Sequence, residues 1–181
     1  MNLPNYITLF RIFLTPFFFT SLVSYQAGRE HYRLAAFGIL LVGSLTDALD
    51  GFLARVTKKR TRLGRFLDPL ADKLLLLSGF LGLLFVTALP YRPPLWVTVT
   101  IVFRDMIIIF GLIVIFLMTK TVRIEPNLLG KSTTLFQMLT LLAILLKWPL
   151  SSFFWYVTAF LTILSCLVYI GRELRRFQNS S

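Results

Sequence analysis

The chain has 181 residues, of which 56% are hydrophobic and only 15% charged, and its mean hydropathy is +0.76. Water-soluble domains hold about 45–50% apolar and about 25% charged residues, so the composition argues against a soluble globular fold and excludes disorder, collagen and coiled coil. Nineteen Lys and Arg against eight Asp and Glu leave a net charge of +11, which on so apolar a chain reads as a membrane protein with its positive charge on one side and not as a nucleic-acid binder.

Six apolar runs follow one another, each long enough to cross about 30 Å of hydrocarbon, and each is expected to be helical because lipid offers backbone polar groups no partner. The first is Tyr6–Tyr25. Residues 1–6 hold no Lys or Arg and no small-residue cleavage site follows, so this run is expected to stay as a span and not to be removed as a signal peptide. Pro16 predicts a kink within it. Asn5, Thr8 and Arg11 recur every third residue and share one helix face. They suit either the polar wall of a cleft or plain N-terminal capping with an interfacial Arg. His31, in the next connection, is expected to be solvated. The second run, Leu34–Ala54, ends with Asp47 and Asp50, and the third, Phe66–Leu89, opens with Asp68, Asp72 and Lys73. Lys73 is expected to snorkel or to pair. Pro90, Pro93 and Pro94 precede the fourth run, Leu95–Thr119, which carries Arg104 and Asp105. Pro126 and Pro149 bracket the fifth, Ser132–Trp148, and the sixth is Ser151–Ile170 with the single cysteine, Cys166, which allows no internal disulfide and no zinc cluster. The last turn is short, so five spans with a long hairpin is the alternative there. No repeat and no soluble domain interrupts residues 1–181, which read as one membrane domain.

The connections alternate in charge. Arg55, Lys58, Lys59, Arg60, Arg62 and Arg65 lie between runs two and three, Lys120, Arg123 and Lys131 between four and five, and Arg172, Arg175 and Arg176 in the tail. The opposite side has only Arg29, Arg33, Arg92 and Lys147. The positive-inside rule then places both termini in the cytoplasm. Trp96, Trp148 and Trp155 fall at the other interface, where an aromatic belt is expected.

The acids are the more informative charges. Asp47 and Asp50 are three residues apart and Asp68 and Asp72 four apart, so each pair occupies one helix face. The two helices run antiparallel through a short basic connection, which brings all four carboxylates together at the cytoplasmic surface. Interfacial salt bridges would account for any one of them. Four at matched spacing in a partly dry site call for one or two divalent cations, and oxygen-only ligands suit Mg²⁺ or Mn²⁺. Gly51 and Ala54 leave the helix bare beside them, Arg55 offers a fork for phosphate oxygens, and Thr61 and Gly64 add a hydroxyl and backbone access. Together they describe a site for a pyrophosphate-bearing molecule.

This stretch, D-x₂-D-G-x₂-A-R-x₈-G-x₃-D-x₃-D from Asp47 to Asp72, resembles position for position the signature of the CDP-alcohol phosphatidyltransferases, and the six-span reading is similar to that family's membrane core. The resemblance implies an all-α integral membrane enzyme of the inner membrane, six transmembrane helices with both termini cytoplasmic, and an active site at the cytoplasmic end of helices 2 and 3. It implies that CDP-diacylglycerol is the donor and that CMP is released. It further implies two Mg²⁺ or Mn²⁺ ions on Asp47, Asp50, Asp68 and Asp72, with Asp72 as general base, and contact of Gly51, Ala54, Arg55, Thr61 and Gly64 with the CDP moiety. A homodimer is implied by the same likeness alone.

The N-terminal pattern with Asn5, Thr8 and Arg11, and Gly130-Lys131-x-x-Thr134-x-x-Gln137 at the fifth span, look like those of bacterial members that use glycerol 3-phosphate. By that likeness Asn5, Thr8 and Arg11 would line the nucleotide end. Arg104, Arg123, Lys131 and Thr134 would bind the acceptor's phosphate, although Arg123 and Lys131 also satisfy the positive-inside bias and Arg104 has Asp105 or Glu125 as a partner. Arg104 lies midway along its span, deeper than a phosphate at the inner surface requires. Other acceptors (inositol phosphate, serine or phosphatidylglycerol) are the near alternatives. A cation transporter is the distant one, disfavoured because the outer halves of spans two and three hold little beyond Ser44, Thr46, Ser78 and Thr87.

Overall fold

The computed structural model describes the backbone of residues 3–57, 62–119 and 128–178, and within these the side chains of 6–47, 66–111, 113, 114, 116–118 and 128–168. The described residues form six α-helices and no strand: α1 (Leu3–Val23), α2 (Glu30–Thr57), α3 (Arg62–Phe85), α4 (Leu95–Thr119), α5 (Leu128–Leu145) and α6 (Ser151–Gln178). Successive helices run antiparallel. Thr8 in the second turn of α1 meets Asp68 near the start of α3, and Phe66 at the start of α3 stacks on Phe116 near the end of α4 with ring centroids 4.1 Å apart. The motif aspartates therefore sit at the end where α1, α3 and α5 begin, and the opposite end carries the α1–α2, α3–α4 and α5–α6 turns.

The apolar runs and the helices agree in number and order, and their limits differ for local reasons. The third helix stops at Phe85, before the expected Leu89; Pro90 disfavours a helical conformation at Leu89, and Arg92 Nη1 donates to the freed carbonyl of Val86 at 3.3 Å. The fifth starts earlier, at Leu128, and stops earlier, at Leu145. There Lys147 adopts φ 55°, and Trp148 N donates to Ala143 O at 2.9 Å while Lys147 N donates to Ile144 O at 2.9 Å, which is a Schellman termination with Pro149 just beyond it. This turn separates α5 from α6. Pro16 is accommodated within a continuous α1. His31 is exposed, as expected, but belongs to the first turn of α2 and not to a loop.

The core is one cluster drawn from all six helices, including Phe18, Leu22, Leu40, Leu75, Phe80, Ile101, Leu141, Ile144 and Trp155. Trp155 thus departs from the interfacial belt: it is 6% exposed and packed inside, whereas Trp96 and Trp148 are exposed. The crossing of α3 with α5 is close at Gly79, where a Cβ would stand 2.6 Å from Leu141 Cδ1 and 3.0 Å from Phe18 Cε1. Large apolar side chains such as Phe13, Phe17, Phe103, Phe110, Phe153 and Phe160 point outward, the arrangement of a bundle whose solvent is lipid. Among the described residues four helices, α1, α4, α5 and α6, are long and apolar enough to cross a membrane by length and composition, and the chain is a multi-pass membrane protein.

Candidate active site

The described part of the aspartate motif lies where α1, α2 and α3 meet. Asp47 projects from α2, and Asp68 and Asp72 from successive turns of α3. Of the three α1 residues expected on the site face, the two whose side chains are described, Thr8 and Arg11, reach these carboxylates. Thr8 Oγ1 donates to Asp68 Oδ1 at 2.6 Å, and Arg11 Nη1 donates to Asp47 Oδ1 at 2.8 Å. Thr8 and Arg11 are buried, whereas the Asp47 side chain is 49% exposed and Asp68 is partly buried. Asp72 is partly buried and within electrostatic reach of Asp47, Arg11 and Lys73.

Asp50, Gly51, Ala54 and Arg55 lie on the α2 backbone, Gly64 on α3 and Asn5 on α1, and their side-chain surroundings are outside the described residues. Thr61 and Arg123 lie wholly outside them. Among the described residues no three acid, His or Cys side chains form a group able to hold a metal ion. The motif's donor set is carboxylate oxygen alone, the chemistry of a hard divalent cation.

On the acceptor side the expected residues divide. Lys131 is exposed in the first turn of α5. Arg104 is buried, with Nη1 on Asp105 Oδ1 at 2.7 Å and Nη2 donating to Ser165 Oγ at 3.0 Å. Thr134 Oγ1 accepts from Lys73 Nζ at 3.2 Å and lies 3.1 Å from the carbonyl of Gly130. Lys73 pairs with Asp105 at 3.0 Å, so of its two expected behaviours the structure has pairing. The Lys73–Asp105 partnership and the part of Gln137 in it were not foreseen. The available signal was that every ionised group within an apolar run needs a partner. A second unforeseen group closes the far end of the bundle. There Glu30 Oε1 accepts from Lys147 Nζ at 2.7 Å and from Tyr25 at 3.1 Å, and Arg33 Nε reaches Glu30 Oε2 at 2.6 Å. Arg33 Nη1 also donates to the α5 terminal carbonyl of Leu145.

Comparison with known proteins agrees with the motif. The family model of CDP-alcohol phosphatidyltransferases matches residues 1–168. A CDP-diacylglycerol–glycerol-3-phosphate 3-phosphatidyltransferase of Aquifex aeolicus (strain VF5) is 37% identical over 144 residues, covering 80% of this chain and 75% of the relative. The protein of the same name from Bacillus subtilis (strain 168) is 31% identical over 99% of both chains. That of Haemophilus influenzae is 30% identical over 93% of this chain and 91% of its own. The chain belongs to the CDP-alcohol phosphatidyltransferase family.

Proposed function

We propose that this CDP-alcohol phosphatidyltransferase transfers the phosphatidyl group of CDP-diacylglycerol to glycerol 3-phosphate, giving phosphatidylglycerol phosphate and CMP. The observation that carries the acceptor is near-full-length similarity to relatives named for glycerol 3-phosphate. The carboxylate cluster at the junction of α1, α2 and α3 supports the chemistry.

In this reading an acceptor hydroxyl oxygen attacks the phosphorus that bears diacylglycerol. The new P–O bond forms as the bond to CMP breaks, CMP leaves with the electron pair, and the hydroxyl proton passes to Asp72. Asp47, Asp50, Asp68 and Asp72 would hold two Mg²⁺ or Mn²⁺ ions, which when bound offset the charge of the diphosphate and of the departing CMP. Gly51, Ala54, Arg55, Thr61 and Gly64 receive the CDP moiety. Asn5, Thr8 and Arg11 border it from α1, where Thr8 and Arg11 also fix Asp68 and Asp47. The acceptor's phosphate falls to Lys131 and Thr134 with Arg123 and Arg104. Because Arg104 is already bonded to Asp105 and Ser165, Lys131 carries the larger share. All six helices span the inner membrane with the aspartate end and both termini in the cytoplasm, a reading supported by the clustered Lys and Arg of the connections at that end. The assembly is a homodimer, supported by the family likeness.

Two variants test these roles. Asp72→Asn should lower turnover by at least about 10²-fold, within the range assigned to positioned acid–base groups, while CDP-diacylglycerol binding stays measurable. Turnover equal to the parent's would remove Asp72 as base. Lys131→Ala should raise the acceptor's KM, and an effect confined to the donor would move Lys131 to the nucleotide side.

A further inference from the structure

Next to Asp72 along α3, Lys73 enters a buried polar network in which Lys73, Asp105 and Gln137 have no part in the transfer chemistry, while Arg104 and Thr134 at its edge are those offered to the acceptor's phosphate. Lys73 Nζ has three acceptors: Asp105 Oδ1 at 3.0 Å, Thr134 Oγ1 at 3.2 Å and Gln137 Oε1 at 3.3 Å. The second oxygen of Asp105 takes Gln137 Nε2 at 2.8 Å, and Arg104 joins Asp105 to Ser165. Asp105 and Gln137 are fully buried and Lys73 is 8% exposed. Lys73 thereby spends all three of its donors, and Gln137 uses both ends of its amide, the orientation that puts oxygen on the ammonium and nitrogen on the carboxylate. With their hydrogen bonds satisfied in this way, Lys73, Asp105 and Gln137 have nothing to offer a substrate and instead fix geometry.

The network ties α3 to α4, α5 and α6, while the preceding turn of α3 is held from the other side by Thr8 on Asp68. Residues 72 and 73 are neighbours on one helix, about 100° apart around its axis. Fixing Lys73 therefore fixes the direction in which Asp72 leaves α3. Charge acts in the same sense: the network holds two cations to one carboxylate, and Asp72 is the acid adjoining Lys73 on α3.

We infer that Lys73 is a positioning residue for the transfer reaction, anchored by Asp105 and Gln137, which holds Asp72 in register with α5. The inference rests on the transferase reading of the Asp72 site. A carboxylate displaced by about 1 Å from its reacting partner loses on the order of 10²-fold in rate, so an effect on kcat is expected without a matching effect on binding.

The test compares Lys73→Met, Lys73→Arg and Gln137→Leu with the parent in detergent–lipid micelles, measuring kcat, both KM values and the thermal unfolding midpoint. Lys73→Met should lower kcat tenfold or more with both KM values within about twofold of the parent. Lys73→Arg, which keeps a cation facing Asp105, should recover most of the loss. Gln137→Leu removes no charge and should show a smaller fall in kcat of the same kind; it carries the test if Lys73→Met does not assemble. A parent-like kcat, a fall that only follows the loss of folded protein, or a change confined to one substrate's KM would overturn the inference. Each variant is assayed with whichever acceptor the parent uses, so an error in the acceptor assignment shows in the parent and leaves this test intact.

Discussion

At the scale of single residues, the site depends on carboxylates gripped from α1. A hydroxyl that donates to a carboxylate makes a charge-assisted bond, and its loss costs about 1.5–3 kcal/mol where the partner is left dry. Asp68 is only partly buried, so Thr8→Val should cost nearer the lower end in stability. Its larger effect should be on turnover, a fall of about tenfold, because the Asp68 oxygen released from the 2.6 Å bond is free to rotate away from the orientation the site needs. Comparing kcat and the unfolding midpoint of Thr8→Val with the parent checks this; equal kcat would make the Thr8–Asp68 contact incidental. That Thr8 and Arg11 share one face of α1 was legible in their three-residue spacing, which left open whether that face lines a site. That both hydrogen-bond motif aspartates was not, because the partners lie 60 and 36 residues away and spacing reports only neighbours on the same helix.

At the scale of helices, the number, order and approximate limits of the elements follow from hydropathy and proline alone, since a span must satisfy its own backbone. Contacts between helices are less legible. Gly79 reads in the sequence as one small residue among leucines, yet it sets the distance between α3 and α5. Gly79→Ala should destabilise by about 1–3 kcal/mol through overpacking against Leu141 and Phe18. Gly38→Ala, at a helical position where an added Cβ meets nothing within 4 Å, should be neutral or slightly stabilising, since Ala is favoured over Gly in a helix by about 0.5–1 kcal/mol. Unfolding midpoints that fall equally for both would deny Gly79 its role in the crossing.

The cluster at the far end gives a second prediction at this scale. Lys147 and Arg33 hold the Glu30 carboxyl below its ordinary value of 4.5, at about 2. An acid with a depressed folded-state value stabilises above its unfolded value and loses that contribution as pH falls through the folded one. Glu30→Gln should therefore unfold at a lower temperature than the parent at neutral pH, and the gap should close between about pH 4.5 and pH 2. A gap that persists unchanged at pH 2 would show that Glu30 acts there by shape and not by charge. Hydropathy did not reveal this cluster, because Glu30 lies outside every apolar run and Lys147 is brought to it by the left-handed turn that ends α5.

At the scale of the whole molecule, four of the nineteen basic residues, Arg29, Arg33, Arg92 and Lys147, lie at the far end, and the rest separate into two populations. One is the basic set in the connections and tail at the aspartate end, which the positive-inside rule reads as an orienting device. The other is a small buried set, Arg11, Lys73 and Arg104, each of which meets an aspartate. The buried cations are explained by the few acids, and half of all the acids belong to one motif. A basic chain thus closes around an acidic site whose own charge calls for cations and phosphate groups.

That account is tested most directly by giving the purified protein CDP-diacylglycerol, Mg²⁺ or Mn²⁺ and a panel of acceptors while following CMP release and the lipid product. Glycerol 3-phosphate should release CMP in a one-to-one ratio with newly formed phosphatidylglycerol phosphate, and inositol phosphate, serine and phosphatidylglycerol should not. CMP release with one of those acceptors and none with glycerol 3-phosphate would contradict the acceptor assignment, and no CMP with any of them would contradict the transfer reaction itself.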